Sequence, residues 1–178
     1  MARPVDGVDR VRARVVRGSG TTNIGTGLPV LDHLIELLAR YGGFDVALQV
    51  APEGADAEVS AAGRALGEAL APLLRAAGAR GHASAVVPAD EALAHVSLEA
   101  SGRPLVVSNV DLSDAQVAGL GTDLVARFLD ELSQGAGLTL HVRLVHGEDT
   151  GHVLESIFKA LGAALAQACR ARTPKEEL

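Results

Sequence analysis

The sequence predicts an α+β fold built twice: two tandem similar half-domains, each a small β-sheet with two helices on one face, packed helix side to helix side. Three observations predict it. Segments that alternate apolar and polar residues are interleaved with segments whose apolar residues recur at helical spacing. Slid by 95 residues, the chain matches itself, Ala65-Leu66-Gly67-Glu68-Ala69-Leu70 falling on Ala160-Leu161-Gly162-Ala163-Ala164-Leu165. With one residue of slack the order of helix, glycine, alternating strand, broken loop and second helix recurs as well. The 178 residues are read as one domain, residues 1–178, with half-repeats at about 8–87 and 88–172, long enough to bury a core.

Residues 8–16 alternate, Val11, Ala13 and Val15 against Arg10, Arg12 and Arg14, as a strand does. Gly18-Ser19-Gly20 turns the chain toward a short strand around 23–25. Pro29 opens a helix whose stripe is Val30, Leu31, Leu34, Leu37 and Leu38, and Gly42-Gly43 stops it. Phe44, Val46, Leu48 and Val50 form the next strand, broken by Pro52-Glu53-Gly54. A helix over 57–74 is closed by Gly78 and Gly81. Strands over 83–87 and 91–99 flank a Pro88-Ala89-Asp90 turn, and a third covers 105–110. A helix over 122–132 then leads to a strand with Leu138, Leu140, Val142 and Leu144 on one face and Thr139, His141 and Arg143 on the other. The polar stretch from Gly147 to Gly151 opens the last helix.

Formal charge is −6 with dispersed basic residues, and three Phe, one Tyr and no Trp leave no base-stacking platform, so no nucleic-acid partner is expected. The single cysteine, Cys169, excludes an internal disulfide framework and reads as a buried apolar side chain near a helix end. Arg3, Arg10, Arg12, Arg14 and Arg17 stand in the first twenty residues with no apolar core between them, so no secretory signal is expected. No apolar run reaches the length of a membrane span. The expected compartment is the cytoplasm, with no membrane partner.

Chemistry concentrates between Gly137 and Leu165. His152 and Glu155 stand three apart at the start of a helix and share one face, with His141 on the strand before it. Imidazole and carboxylate are ligand types that suit Zn, Mn or Fe. The plain alternative is that Asp149 or Thr150 caps the helix, Glu155 favours its first turns, and His141 is a surface strand residue. Three scattered residues alone favour the plain reading, because a metal centre needs more ligands. The repeat sharpens the question. Asp56-Ala57-Glu58-Val59-Ser60 falls on Gly151-His152-Val153-Leu154-Glu155, so the second half holds a histidine and a carboxylate where the first holds Ala57 and Ser60. Of the remaining histidines, His95 reads as a solvated strand residue, and His146 stands nearer the loop, where no spacing rule assigns it a ligand role.

Gly27-Leu-Pro-Val-Leu-Asp-His33 and Leu38-Ala-Arg-Tyr-Gly-Gly-Phe44 resemble the imidazoleglycerol-phosphate dehydratase family of histidine biosynthesis. So do Pro88-Ala-Asp-Glu-Ala-Leu-Ala94, Ser101-Gly-Arg-Pro104, Thr122-Asp-Leu-Val125, Ala136-Gly-Leu-Thr-Leu-His141 and Phe158-Lys-Ala-Leu161. The resemblance implies a hydro-lyase that uses Mn2+ to remove water from imidazole glycerol phosphate, a small phosphate substrate, in a large homo-oligomer with sites at subunit boundaries. It implies metal ligands at His33, His141, His152 and Glu155, catalytic carboxylates at Asp90 and Glu155, and phosphate contacts at Arg103, Thr173 and Lys175. Asp56, Ala57, Ser60 and Gly151 stand where the family has histidine, histidine, glutamate and histidine. Asp56 is a hard oxygen ligand, and neighbouring Glu58 is a candidate to swing in beside it. Three readings follow: a divergent dehydratase, a non-catalytic paralogue that binds a phosphate ligand, and a structural subunit that co-assembles with a complete dehydratase.

Overall fold

Each half of the chain, seen in a computed structural model that describes residues 10–112 and 115–173, forms a sheet around the alternating segment that precedes its longer helix. In the first half that strand is β3 (Phe44–Val50), flanked by antiparallel β1 (Val11–Arg17) and parallel β2 (Thr22–Gly25). Helix α1 (Pro29–Gly42) carries the chain from β2 to β3, and α2 (Ala55–Leu74) follows β3. The second half adds β4 (His82–Ala89), then β5 (Ala92–Glu99), β6 (Leu105–Ser108), β7 (Gln116–Val117), β8 (Leu120–Gly121), α3 (Thr122–Ala136), β9 (Thr139–His146) and α4 (Thr150–Cys169). Its sheet runs β4-β5-β9-β6, with β5 antiparallel and β6 parallel to β9. The arrangement of β1, β3 and β2 therefore recurs in β5, β9 and β6. Both ends of α2 fall on the ends of α4 under the 95-residue shift read from the sequence.

Local chemistry explains the joints. Pro at the first turn of α1 lacks an N–H where none has a helical partner, and its fixed φ suits the helix. Gly43 (φ 63) and Gly137 (φ 68) cap α1 and α3 in the left-handed conformation, and each releases the chain into its central strand. The alternating faces then turn Phe44, Val46 and Leu48, and Leu140 and Val142, into one core beneath the helices. The rings of Phe128 and Phe158 meet there at 5.7 Å between centroids.

The halves meet through their helices, α2 against α3 and α1 against α4. Glycine sets the distance. A Cβ on Gly67 would run into the carbonyl oxygen of Leu132, and one on Gly162, the equivalent residue of the other half, into the carbonyl oxygen of Leu38. Gly135 returns the contact, facing the backbone of Arg64 and Glu68. The repeated Ala-Leu-Gly thus marks two equivalent points where backbone packs on backbone.

Several boundaries differ from the sequence reading. Helix α2 ends at Leu74 and is not closed by Gly78 and Gly81: the N–H of Arg75 makes the last helical bond, to the carbonyl of Ala71, and those glycines (φ 77 and 76) steer the chain onward into β4. Pro88 and Ala89 belong to β4 and not to a turn, since an edge strand tolerates a missing donor; the turn is Asp90-Glu91, with Asp90 at φ 49. Strand β6 stops at Ser108, whose hydroxyl accepts the N–H of Val110. Helix α3 runs on to Ala136. The β7–β8 pair carries no alternation long enough to be read.

Gly162→Ala is expected to lower stability by about 1–3 kcal/mol, the usual cost of overpacking. Denaturant unfolding would read it as a lower midpoint at unchanged slope. An unchanged midpoint would mean that the helices separate freely and that glycine does not set their spacing.

Candidate active site

Helix α1 buries Leu31, Leu34 and Ile35 and so turns His33 outward, with 51% of its side chain exposed. Asp32 beside it anchors the helix start by accepting the N–H of Thr26 at 3.0 Å. Because α1 crosses α4, the outward imidazole meets a residue of the other half: His33 Nε2 lies 3.2 Å from Glu155 Oε1. Two residues matched separately in the sequence thus become one pair.

One turn earlier on α4, His152 sits in a denser constellation. Asp149 caps the helix, accepting the N–H of His152 at 3.0 Å, as the capping reading expected. The Asp90-Glu91 turn then closes over it. Glu91 Oε2 lies 2.6 Å from His152 Nδ1, and Asp90 Oδ2 lies 3.3 Å from Nε2. Glu91 Oε1 accepts the backbone N–H groups of Asp149 at 2.8 Å and Glu148 at 3.3 Å. These bonds hold the Glu91 carboxyl down at about 2, the Asp149 N–H first and the His152 ring second. The same carboxylate raises the His152 imidazole above its ordinary value. Sequence reasoning passed over Glu91; its place beside Asp90 in a matched motif was the available signal.

The other expected residues stand apart from this pair of contacts. His141 lies on the solvent face of β9, level with Ser97 on β5 and Val107 on β6, opposite the face that Leu140 and Val142 bury. It lines a cleft of about 460 Å³ together with Arg80, His82, Ser97 and Thr139. Arg103 is exposed next to that cleft, its carbonyl accepting from Thr139 Oγ1 at 3.0 Å. Thr173 is exposed at the end of the described chain, and Lys175 lies outside the described residues. His95 bonds to Ser84 and Ser97 on the outer face of β5, and His146 is exposed beside Leu93.

In the first half, Glu58 does not swing toward Asp56. It is buried, and its Oε1 accepts the N–H groups of Glu53 at 3.0 Å and Gly54 at 3.1 Å, so it is occupied as a helix-start brace. Asp56 points to Arg127 at 3.9 Å instead. Among the described residues, no three His, Cys, Asp or Glu side chains form a group that could hold a metal ion. His33 with Glu155 is a two-donor pair, and both nitrogens of His152 face carboxylates. The donors of one chain therefore do not fit a closed manganese centre.

The contact between Glu91 and His152 has its own pH window. A depressed carboxylate stabilises the fold above its unfolded value of 4.5 and loses that contribution as pH falls toward about 2. A raised imidazole contributes fully below 6.5 and loses it as pH rises through the folded value. The contact is firmest between these limits. Proton NMR titration of the His152 ring is expected to give a midpoint above 6.5, and Glu91→Gln is expected to bring it down; a midpoint unmoved by the substitution would separate the two groups.

The family model described as imidazoleglycerol-phosphate dehydratase matches residues 26–165. A curated relative of that name from Syntrophobacter fumaroxidans is 44% identical over 162 residues, covering 87% of this chain and 81% of the relative. One from Acetivibrio thermocellus is 39% identical, covering 87% and 82%. The crystal structure of the Staphylococcus aureus enzyme superposes with a TM-score of 0.85 at 28% identity, covering 93% of this chain and 96% of that one. The Pyrococcus furiosus enzyme, solved in complex with (S)-C348, gives 0.80 at 29% identity, covering 93% and 94%. Matched across both repeats in sequence and in fold, the chain belongs to the imidazoleglycerol-phosphate dehydratase family.

Proposed function

We propose that the chain is a hydro-lyase of histidine biosynthesis that dehydrates imidazole glycerol phosphate. The observation that carries this reading is the pairing of imidazole and carboxylate on successive turns of α4, Glu155 with His33 and His152 with Asp90 and Glu91. Loss of water needs a base that takes a carbon-bound proton and an acid that protonates the departing hydroxyl. The C–H and C–O bonds break, a carbon–carbon double bond forms, and the resulting enol passes to its ketone. Glu155 and Asp90 are the carboxylates assigned to that proton traffic. His33 and His152 hold them in place. Arg103, with its planar donor fork, Thr173 and Lys175 are assigned to the phosphate.

Manganese enters the reading as a shared group. One chain does not supply the donors, so a site built from His33, His141, His152 and Glu155 draws on more than one copy, which calls for a homo-oligomer. A bound divalent ion would supply a Lewis acid for the substrate. Cytoplasmic placement follows the biosynthetic role; no described helix is long and apolar enough to cross a membrane.

A second reading has its own support. Ala57 and Gly151 have no ligating atom and Ser60 has no carboxylate, which favours a non-catalytic paralogue that binds a phosphate ligand or co-assembles with a complete dehydratase. One experiment separates the two. Purified protein supplied with manganese is assayed for bound metal by elemental analysis and for dehydration of imidazole glycerol phosphate. The hydro-lyase reading expects turnover that falls at least about 10–100-fold in His152→Ala, the scale of a lost group that supports a metal or a reacting side chain. A folded protein without metal and without turnover would sink it and leave the paralogue.

A further inference from the structure

Glu91 has no part in the proton traffic assigned above, yet three donors converge on it. Its two oxygens divide the work: Oε1 takes the backbone N–H groups of Glu148 and Asp149, and Oε2 takes the ring of His152 at 2.6 Å. The residue before it, Asp90, is held at φ 49, where a residue with a side chain is uncommon, and this conformation sets its carboxylate 3.3 Å from the other ring nitrogen. A two-residue turn thereby addresses both nitrogens of one imidazole. The side chains are not equivalent. Asp90 makes one long contact and is 71% exposed, whereas Glu91 is tied to the helix start by its backbone partners and cannot leave without freeing them.

A neutral imidazole has one N–H. A fixed acceptor at Nδ1 keeps the proton there and leaves the lone pair on Nε2. We propose that Glu91 is a positioning residue: by holding both the Nδ1–H of His152 and the backbone that carries this histidine, it commits Nε2 to face the reacting group or a ligand. The catalytic consequence rests on the hydro-lyase reading, whereas the state of the ring does not.

The test uses the full chain labelled with 15N-histidine, with His152→Asn identifying the ring signals. Above the titration of the ring, the wild type is expected to show Nδ1 protonated and Nε2 bare. Glu91→Ala is expected to shift the ring toward the opposite tautomer, and Glu91→Gln, whose amide oxygen still accepts, to restore it. An Nε2-protonated ring in the wild type, or a ring unchanged in Glu91→Ala, would overturn the proposal. The first of these needs no variant to fold. In the dehydration assay, Glu91→Ala should lower kcat about 10–100-fold with KM little changed, and Glu91→Gln should recover part of the loss. Absence of turnover in the wild type would count against the hydro-lyase reading alone, because the ring measurement still decides the role of Glu91.

Discussion

Backbone packed on backbone at Gly67 and Gly162 is the contact on which the rest of the structure depends. At these two equivalent points a helix of one half lies directly on the carbonyl of a helix from the other. Ridges of side chains normally hold packed helix axes about 8–10 Å apart. Removing the Cβ at the crossing lets the helices approach more closely, so the leucines and phenylalanines around it fill one continuous core and not two. The halves are joined by geometry that every other helical residue type would obstruct.

That junction also decides which residues meet. His33 and Glu155 are far apart in the chain and come from different repeats, but the α1–α4 crossing fixed by Gly162 lays one over the other. His152 depends on a second device, the Asp90-Glu91 turn, whose position follows from the pairing of β4 with β5 along their whole length. The site therefore inherits its precision from a helix crossing and a hairpin, both parts of the framework. This is the arrangement that holds reactive groups to a narrow geometry.

Much of this was legible from the residues. Period-two alternation announced β3 and β9 because each buries a single face, and Gly43 marked where the first helix stops, whereas the matching glycine at 137 went unread and α3 runs a turn past its expected end. The 95-residue register predicted the equivalence of α2 and α4 because both helices use the same Leu-Gly pair for the same contact. What was not legible depended on partners remote in sequence. Pro88 looks like a turn residue until its strand is known to be a sheet edge. Glu58 looks available beside Asp56 until the two N–H groups that it braces are in view. Glu91 is marked locally only by its place beside Asp90 in a matched motif; its role is not legible there, since its donors lie 57, 58 and 61 residues away.

The two halves share a fold and have parted in chemistry, and the loops before α2 and α4 show how. Before α2, the orphan donors at the helix start are taken by Glu58 from inside the helix, and Gly54 at the cap provides no side chain. Before α4, Asp149 caps from its own position and Glu91 reaches in from the hairpin. The first solution buries its carboxylate and leaves Ala57 and Ser60 with no demand on them. The second keeps its carboxylates partly in solvent and holds an imidazole between them. A loop braced from within its helix folds without help from a site, whereas the loop before α4 depends on the same carboxylate that orients His152. Structure and chemistry are separable in the first half, where the fold leans on Glu58 and not on Ala57 or Ser60, and share one residue in the second, where Glu91 serves both.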